Sequence, residues 1–285
     1  MGKSVMLLVC ALVLCMVMVS VIGQMMGTMN VPKLRILIVL QDIFMFIIPA
    51  IVTAVIASRY PARLLEVDAF PNWKMILLTV LTVLAAIPAV DYIVKLNEAM
   101  SFPAWMADVE QAMRKMEEEA NATTQMLING SSVGSLIMSL LIVAILTGFS
   151  EEIFFRGALQ RLLTPASGTP HLAIWVTAFI FSAVHFQFYG FVPRMLLGAF
   201  FGYLLYWSGS LWLPVIAHAL NNSLVVLSTW LVNAGYMENR IDQLGSPSTT
   251  WDVALGSAVL VGGLIVLLKR EASANQKLKS ITNEI

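Results

Sequence analysis

The sequence predicts an all-α, polytopic integral membrane protein: a bundle of about eight transmembrane helices with both termini in the cytoplasm. Of the 285 residues, 59% are hydrophobic and 12% are charged, whereas a soluble domain has about 45–50% apolar and about 25% charged residues. The mean hydropathy is +0.82, and the apolar residues form runs near the roughly 20 residues that a helix needs to cross a bilayer. The 17 basic and 17 acidic residues cancel. The net charge is therefore zero. This excludes two classes of protein that are usually strongly charged, disordered proteins and nucleic-acid-binding proteins.

Eight apolar runs are separated by polar residues, Pro or Gly, and each predicts one spanning helix. The runs cover 4–26, 36–57, 75–94, 133–152, 172–191, 194–208, 211–235 and 252–268. The fourth run continues past Glu152 towards Leu163, because the residues there still favour a helix. We interpret the whole chain, 1–285, as one transmembrane domain.

The distribution of Lys and Arg predicts the orientation, since cytoplasmic loops carry an excess of basic residues. With the N-terminus inside, the inner side holds ten of them: Lys3, Arg59, Arg63, Lys74, Arg156, Arg161, Lys269, Arg270, Lys277 and Lys279. The outer side holds seven: Lys33, Arg35, Lys95, Arg114, Lys115, Arg194 and Arg240. The loop 95–132 is then extracytoplasmic. Its segment 104–120 has apolar residues at helical spacing among charged ones, which predicts an amphipathic helix, either on the membrane surface or solvated in the loop.

Three charged residues lie at the end of the fourth run or just after it: Glu151, Glu152 and Arg156. A charge inside a bilayer costs at least about 2.5–3.5 kcal/mol. Glu152 and Arg156 are four residues apart on one helix face, with the acid on the N-terminal side, as an ion pair prefers. Glu151 lies about 100° around the helix, so the spacing does not pair it with the arginine. It is free to face a cavity as a general base. The alternative is a cytoplasmic helix end with ordinary solvated charges.

Two of the three histidines also lie in apolar runs. His185 follows Phe181 by four residues, and His218 precedes Asn222 by four, on one helix face. Polar groups within a membrane face the bundle interior. Glu151, His185 and the His218–Asn222 pair lie on three separate predicted helices, so we expect them to form one buried polar site. These motif-bearing helices lie within 133–235.

The remaining polar residues of the apolar segments are expected to be structural. Asp42 and Asp91 should lie in the outer half of the membrane, away from Glu151, hydrogen-bonded to neighbouring helices. His171 should be a helix-start residue.

The predicted site has the groups needed to hydrolyse an acyl bond without a covalent intermediate. A glutamate and a histidine can deprotonate a water together, and a second histidine with an Asn amide can donate to the developing oxyanion. The sequence contains no H-E-x-x-H, the signature of zinc proteases. The serine-hydrolase pattern G-x-S-x-G occurs once, at 130–134, in the segment before the fourth run and outside the candidate set. No cofactor is expected. Zinc is the alternative, with Glu151, His185 and His218 as ligands, but Glu151 could not then also serve as the base.

The ordered set E-E-x-x-x-R, F-x-x-x-H and H-x-x-x-N, over about 150–225, resembles the CPBP family, the CAAX-prenyl-endopeptidase and bacteriocin-processing intramembrane proteases. That resemblance implies eight or so helices and a membrane-embedded site open towards the cytosol. It implies that Glu151 and His185 activate the water and that His218 and Asn222 form the oxyanion hole. The supporting residues are then Glu152, Arg156 and Phe181. The family has been described as metalloproteases and later as glutamic ones, which mirrors the choice left open by the residues.

The sequence therefore predicts a multi-pass membrane enzyme, a CAAX-type intramembrane glutamic (formerly metallo-) endopeptidase. Its partners would be the lipid bilayer and a membrane-associated peptide or protein substrate, whether prenylated or leader-bearing, and no nucleic acid. The alternative from another class is a non-catalytic membrane scaffold or bacteriocin-immunity protein with the same fold. A small transporter with a Glu/His proton relay is a third, weakened by the lack of paired broken helices in corresponding halves.

Overall fold

The chain is predominantly helical in the part that the computed structural model describes, residues 2–236 and 250–283, and none of these residues is in a strand. Arg240, counted above on the outer side, lies outside the described residues. The helices are α1 (Gly2–Met25), α2 (Val31–Ala57), α3 (Trp73–Glu98), α4 (Ala107–Ile128), α5 (Val133–Pro165), α6 (Pro170–Ala183), α7 (Phe191–Ser208), α8 (Trp212–Asn233) and α9 (Trp251–Asn283). Within the described residues, seven helices are long and apolar enough to cross a membrane: α1, α2, α3, α5, α7, α8 and α9. The predicted fold class is confirmed, and the protein is a multi-pass membrane protein.

The fifth predicted run, 172–191, forms a helix shorter than expected. α6 has 14 residues and ends at Ala183, after which the His185 N–H and the Phe186 N–H donate to carbonyls only three residues back. Phe186 then has a φ of 53°, a left-handed conformation that a bulky residue rarely adopts. The expectation that His185 lies in a spanning helix is therefore wrong, because this tightened turn ends α6 before it. His171 is at the start of α6, as predicted.

Several of these helices begin at a residue whose polar side chain caps the N-terminus. Asn30, Asn72, Ser132 and Thr169 each accept a hydrogen bond from the backbone N–H three residues later. Such caps satisfy one of the donors that the first turn of a helix leaves unpaired. They fix where α2, α3, α5 and α6 begin.

The two ends of the described chain lie at the same end of the bundle. Leu8 of α1 packs in one core cluster with Leu65 and Leu162, and Asn72 donates a hydrogen bond of 3.1 Å to Glu271 of α9. This arrangement requires an even number of passes through the bundle, which the seven long helices give only together with the shorter α6.

α5 is long and twice departs from regular α-helical hydrogen bonding. It runs for 33 residues, which confirms its predicted continuation past Glu152. π-helical segments cover Leu140–Leu146 and Ile153–Gln160, and a single α-helical turn, Thr147–Glu152, lies between them. π segments are rare and concentrate at functional sites. The two acids lie near the middle of this long helix rather than at its end.

The largest core cluster surrounds this part of α5. It combines buried side chains of α1, α2, α5 and α6 with those of the chain around 205–215, and an aromatic group that includes Phe46, Phe154, Phe155 and Phe181 forms its centre. Edge-to-face arrangements of this kind are favourable for aromatic rings, worth about 0.5–1.5 kcal/mol a pair beyond the area that they bury. They hold the polar residues of α5 in a fixed frame.

Candidate active site

Glu152 is the centre of a fully buried charge network. Both Glu152 and Arg156 have 0% exposed side chains, and Arg156 Nη1 donates to Glu152 Oε1 over 2.7 Å. Arg156 Nη2 also donates to the Gly198 carbonyl over 3.0 Å, and its guanidinium lies 4.5 Å from the centre of the Phe181 ring. The ion pair predicted from the spacing is formed, and a buried pair of this kind persists only with such additional contacts.

The same carboxylate oxygen fixes the orientation of His218. His218 Nδ1 lies 2.8 Å from Glu152 Oε1. An ionised carboxylate can only accept a hydrogen bond, so Nδ1 must carry the proton. Nε2 consequently points to the other acid, 3.8 Å from Glu151 Oε2. Phe201 stacks on the imidazole at 5.0 Å between ring centres.

His185 is also oriented by a hydrogen bond from its Nδ1, in this case to a backbone carbonyl. Its Nδ1 lies 2.6 Å from the Phe181 carbonyl oxygen, which can only accept, so Nδ1 is again the donor. Its Nε2 then lies 3.9 Å from Glu151 Oε1. Phe181 thus contacts three members of the site: its carbonyl binds His185, its ring packs edge-on against both imidazoles, and the Arg156 guanidinium lies over the same ring.

Glu151 therefore presents one carboxylate oxygen to each histidine. Separations of 3.8 and 3.9 Å exceed those of a direct hydrogen bond, about 2.7–3.2 Å. They suit groups that meet through a small bridging molecule such as water. Glu151 is 8% exposed and lines a cavity of about 570 Å³ together with both histidines.

Asn222 lies in the same cavity, one helical turn after His218. Its Nδ2 donates to the Val143 carbonyl over 3.1 Å, and its Oδ1 accepts from Asn221 over 3.4 Å. These bonds fix the direction of the amide, and a side-chain amide has a second N–H. The structure thus brings together all four predicted site residues, Glu151, His185, His218 and Asn222.

The far wall of the cavity comes from the loop 95–132 and the turn that carries His185. Glu117 of α4 accepts from Gln187 Nε2 over 3.1 Å and from the Tyr189 N–H over 3.2 Å. At the start of α4, the Phe102 N–H and Arg114 hold the pKa of the Glu110 carboxyl below its ordinary value. The predicted amphipathic helix is present, and it lies across this end of the cavity.

The position of α4 makes two of the expectations above incompatible. The basic residues predict that the loop 95–132 is extracytoplasmic, whereas the family resemblance implies a site open to the cytosol. The cavity reaches from Glu151 to Glu98, Glu117 and Asn121, so both lie towards the same end of the bundle. Labelling of single cysteines introduced at exposed positions of α4, from one side of the membrane at a time, decides between them.

Asp42 was placed wrongly by the sequence. Its Oδ1 accepts from Ser150 Oγ over 2.8 Å and its Oδ2 from Thr147 Oγ1 over 2.9 Å. It therefore lies beside the turn that carries Glu151, because that turn is in the middle of a 33-residue helix and not near the inner face. The expected hydrogen bonds to a neighbouring helix are confirmed. Asp91 pairs at 3.2 Å with Lys95.

The three alternative zinc ligands are spaced more widely than a tetrahedral zinc site requires. The described residues contain no group of three or more His, Cys, Asp or Glu arranged to hold one. Ligand atoms about 2.0–2.1 Å from a tetrahedral zinc would lie about 3.4 Å apart, closer than the separations of Glu151 from either histidine.

Known proteins resemble part of this chain. Residues 133–224 match the family model of type II CAAX prenyl endopeptidase Rce1-like proteins, and this confirms the resemblance drawn from the three motifs. The chain is 29% identical over 86 residues to the uncharacterized protein YpbD of Bacillus subtilis (strain 168). That match covers 29% of this chain and 41% of the relative. No solved structure matches.

Proposed function

We propose that this protein is an intramembrane endopeptidase that hydrolyses a peptide bond with a water activated by Glu151 and His185. The observation that carries the proposal is the placement of the two Glu151 oxygens opposite the Nε2 atoms of two separately oriented histidines. The match of 133–224 to an endopeptidase family supports the reaction class.

The tautomer of His185 gives it an acceptor role in the first step. With Nδ1–H donated to the Phe181 carbonyl, its Nε2 has a free lone pair. A water between Glu151 and His185 can donate one O–H to each of them. As the water oxygen attacks the peptide carbonyl, Glu151 takes the proton, and that proton is later delivered to the leaving amine.

His218 and Asn222 would stabilise the oxyanion formed by this attack. The Asn222 amide can donate its second N–H. His218 can donate from Nε2 only as an imidazolium, since Nδ1 already donates to Glu152. The buried Glu152 carboxylate stabilises that cation, which gives it a function beyond pairing with Arg156.

The substrate is proposed to be a membrane-associated peptide or protein, whether prenylated or leader-bearing. A second cavity, of about 560 Å³, adjoins the first, and both are lined by Thr147 and His185. Apolar side chains of α2, α4 and α5 form much of its wall: Leu34, Leu37, Ile38, Met116, Leu127 and Val143. Such a wall is compatible with an apolar or lipidated segment beside the scissile bond.

The test compares Glu151→Gln with wild type in detergent-purified protein. The probe is an internally quenched, farnesylated peptide with a C-a-a-X end, and unbiased peptidomics of membranes from both strains provides a second substrate search. We expect Glu151→Gln to abolish cleavage while folding normally, because the amide keeps the shape but cannot take a proton. Glu118→Gln, an exposed glutamate of α4, is the matched control. Cleavage retained by Glu151→Gln contradicts the proposal.

The phenotype of variants distinguishes the proposed enzyme from the alternative, a non-catalytic scaffold or immunity protein. If Glu151→Gln and His185→Ala complement a deletion strain as well as wild type, the role is not catalytic. Metal dependence is decided by elemental analysis of the purified protein together with activity in chelator. Stoichiometric zinc that is lost together with activity would replace the metal-free mechanism.

A further inference from the structure

Asp42 is a buried acid in a spanning helix that the mechanism above does not use. It is 1% exposed, and an ionisable group at this position is costly unless it is satisfied. Both carboxylate oxygens accept hydrogen bonds, from Ser150 Oγ and Thr147 Oγ1. Hydrogen bonds to an ionised acceptor are roughly twice as strong as neutral ones.

Both hydroxyl partners belong to the α5 turn that carries Glu151. They precede it by four residues and by one residue, within Thr147–Glu152. The π-helical segments on either side depart from the regular α-helical hydrogen-bond pattern, as helices often do at functional sites. Contacts from α2 therefore contribute to the orientation of this turn. α2 has its own π segment, Asp42–Ile47, which begins at the contact.

We propose that Asp42 is a positioning residue, which clamps the Glu151-bearing turn of α5 against α2. The inference rests on the proposed function, because Asp42 acts on Glu151 only through the hydroxyls of Thr147 and Ser150. Each Glu151 oxygen must face a different histidine, at 3.9 and 3.8 Å. A small rotation of the turn would move both oxygens away from these positions, and displacements of about 1 Å cost up to about 100-fold in rate.

Removal of Asp42 leaves both hydroxyls with other acceptors. Thr147 Oγ1 lies 3.0 Å from the Ile142 carbonyl, and Ser150 Oγ lies 3.0 Å from the Thr147 carbonyl. In Asp42→Ala each hydroxyl can turn to its own helix, so the turn stays helical but loses its attachment to α2. In Asp42→Asn the amide can accept from one hydroxyl and donate to the other, which keeps the clamp.

The experiment measures hydrogen–deuterium exchange and cleavage of the farnesylated peptide on the full chain in detergent. We expect Asp42→Ala to speed exchange over 147–152 and to lower kcat about 10- to 100-fold, with KM within about twofold of wild type. Asp42→Asn should keep kcat within about fivefold. Asp91→Ala, an acid of α3 outside the site, is the control and should match wild type in both measurements.

A second set of variants removes the same hydrogen bonds from the other side. Thr147→Val with Ser150→Ala should reproduce the loss of kcat, and adding Asp42→Ala to this pair should lower it no further, since contacts within one network are not additive. If Asp42→Ala does not fold, the Thr147→Val/Ser150→Ala pair is measured in its place.

Wild-type exchange over 147–152 in Asp42→Ala, or losses that simply add, would overturn the clamp. Exchange needs no turnover, so it tests the clamp by itself. Cleavage retained by Glu151→Gln would instead contradict the proposed function.

Discussion

Variants of the buried Glu152–Arg156 pair can show separately what its charges contribute to stability and to catalysis. Glu152→Ala leaves the Arg156 guanidinium, which has no exposed surface, with the Gly198 carbonyl and aromatic faces as its remaining partners. Breaking a buried pair by removing one partner costs about 3–5 kcal/mol. His218 loses its acceptor as well, and an unsatisfied buried donor adds about 1–3 kcal/mol. We therefore expect Glu152→Ala to lower the free energy of unfolding by at least about 3 kcal/mol.

The matched variant Glu152→Gln/Arg156→Met removes both charges and keeps an acceptor for His218. Replacing both members of a buried pair is often neutral or stabilising, so its free energy of unfolding should lie within about 2 kcal/mol of wild type. Its cleavage rate should nevertheless fall, because a neutral amide does not stabilise an imidazolium at His218. The measurement is equilibrium unfolding in mixed micelles with increasing SDS, followed by cleavage of the farnesylated peptide. A double variant as unstable as Glu152→Ala, or as active as wild type, would refute the reasoning.

Two further predictions concern residues around this network. Asn222→Ala should lower kcat about 10²- to 10³-fold with little change in KM, as the loss of an oxyanion donor does, and an unchanged kcat in steady-state assays would remove Asn222 from the oxyanion hole. Gly202→Ala should destabilise the protein by about 1–3 kcal/mol in the same SDS titration, because a Cβ there would lie 2.7 Å from Gln160 Oε1 and 2.9 Å from Ile174. Gly262→Ala, whose Cβ would meet nothing within 4 Å, is the control, and equal stability of the two variants would contradict the packing argument.

The spacing of residues along the chain predicted the contacts made within one helix. Glu152 and Arg156 form the expected i,i+4 pair, and hydropathy located the helices because each has to satisfy its backbone within a bilayer. His218 and Asn222 line one cavity, as their common helix face predicted.

Contacts between different helices could not be predicted from the sequence in the same way. The bond from Glu152 to His218 joins residues 66 positions apart, and spacing has no information about such a pair. Asp42 was misplaced because depth was assigned from the order of apolar runs, whereas α5 extends well past the site. The end of α6 before His185 depends on the left-handed backbone at Phe186, a residue whose type gives no signal for that conformation.

The shortness of α6 has a consequence for the surrounding bilayer. Its 14 residues span about 21 Å, roughly 9 Å less than the hydrocarbon core of a typical membrane. Leu172, Trp175 and Phe179 on its surface are exposed, so this side of the helix faces lipid. A lipid-facing helix this short favours local thinning of the membrane, which would bring headgroups and water towards the turn that carries His185. A hydrolase buried in lipid needs a supply of its second substrate, and this indentation would bring water to the level of the site.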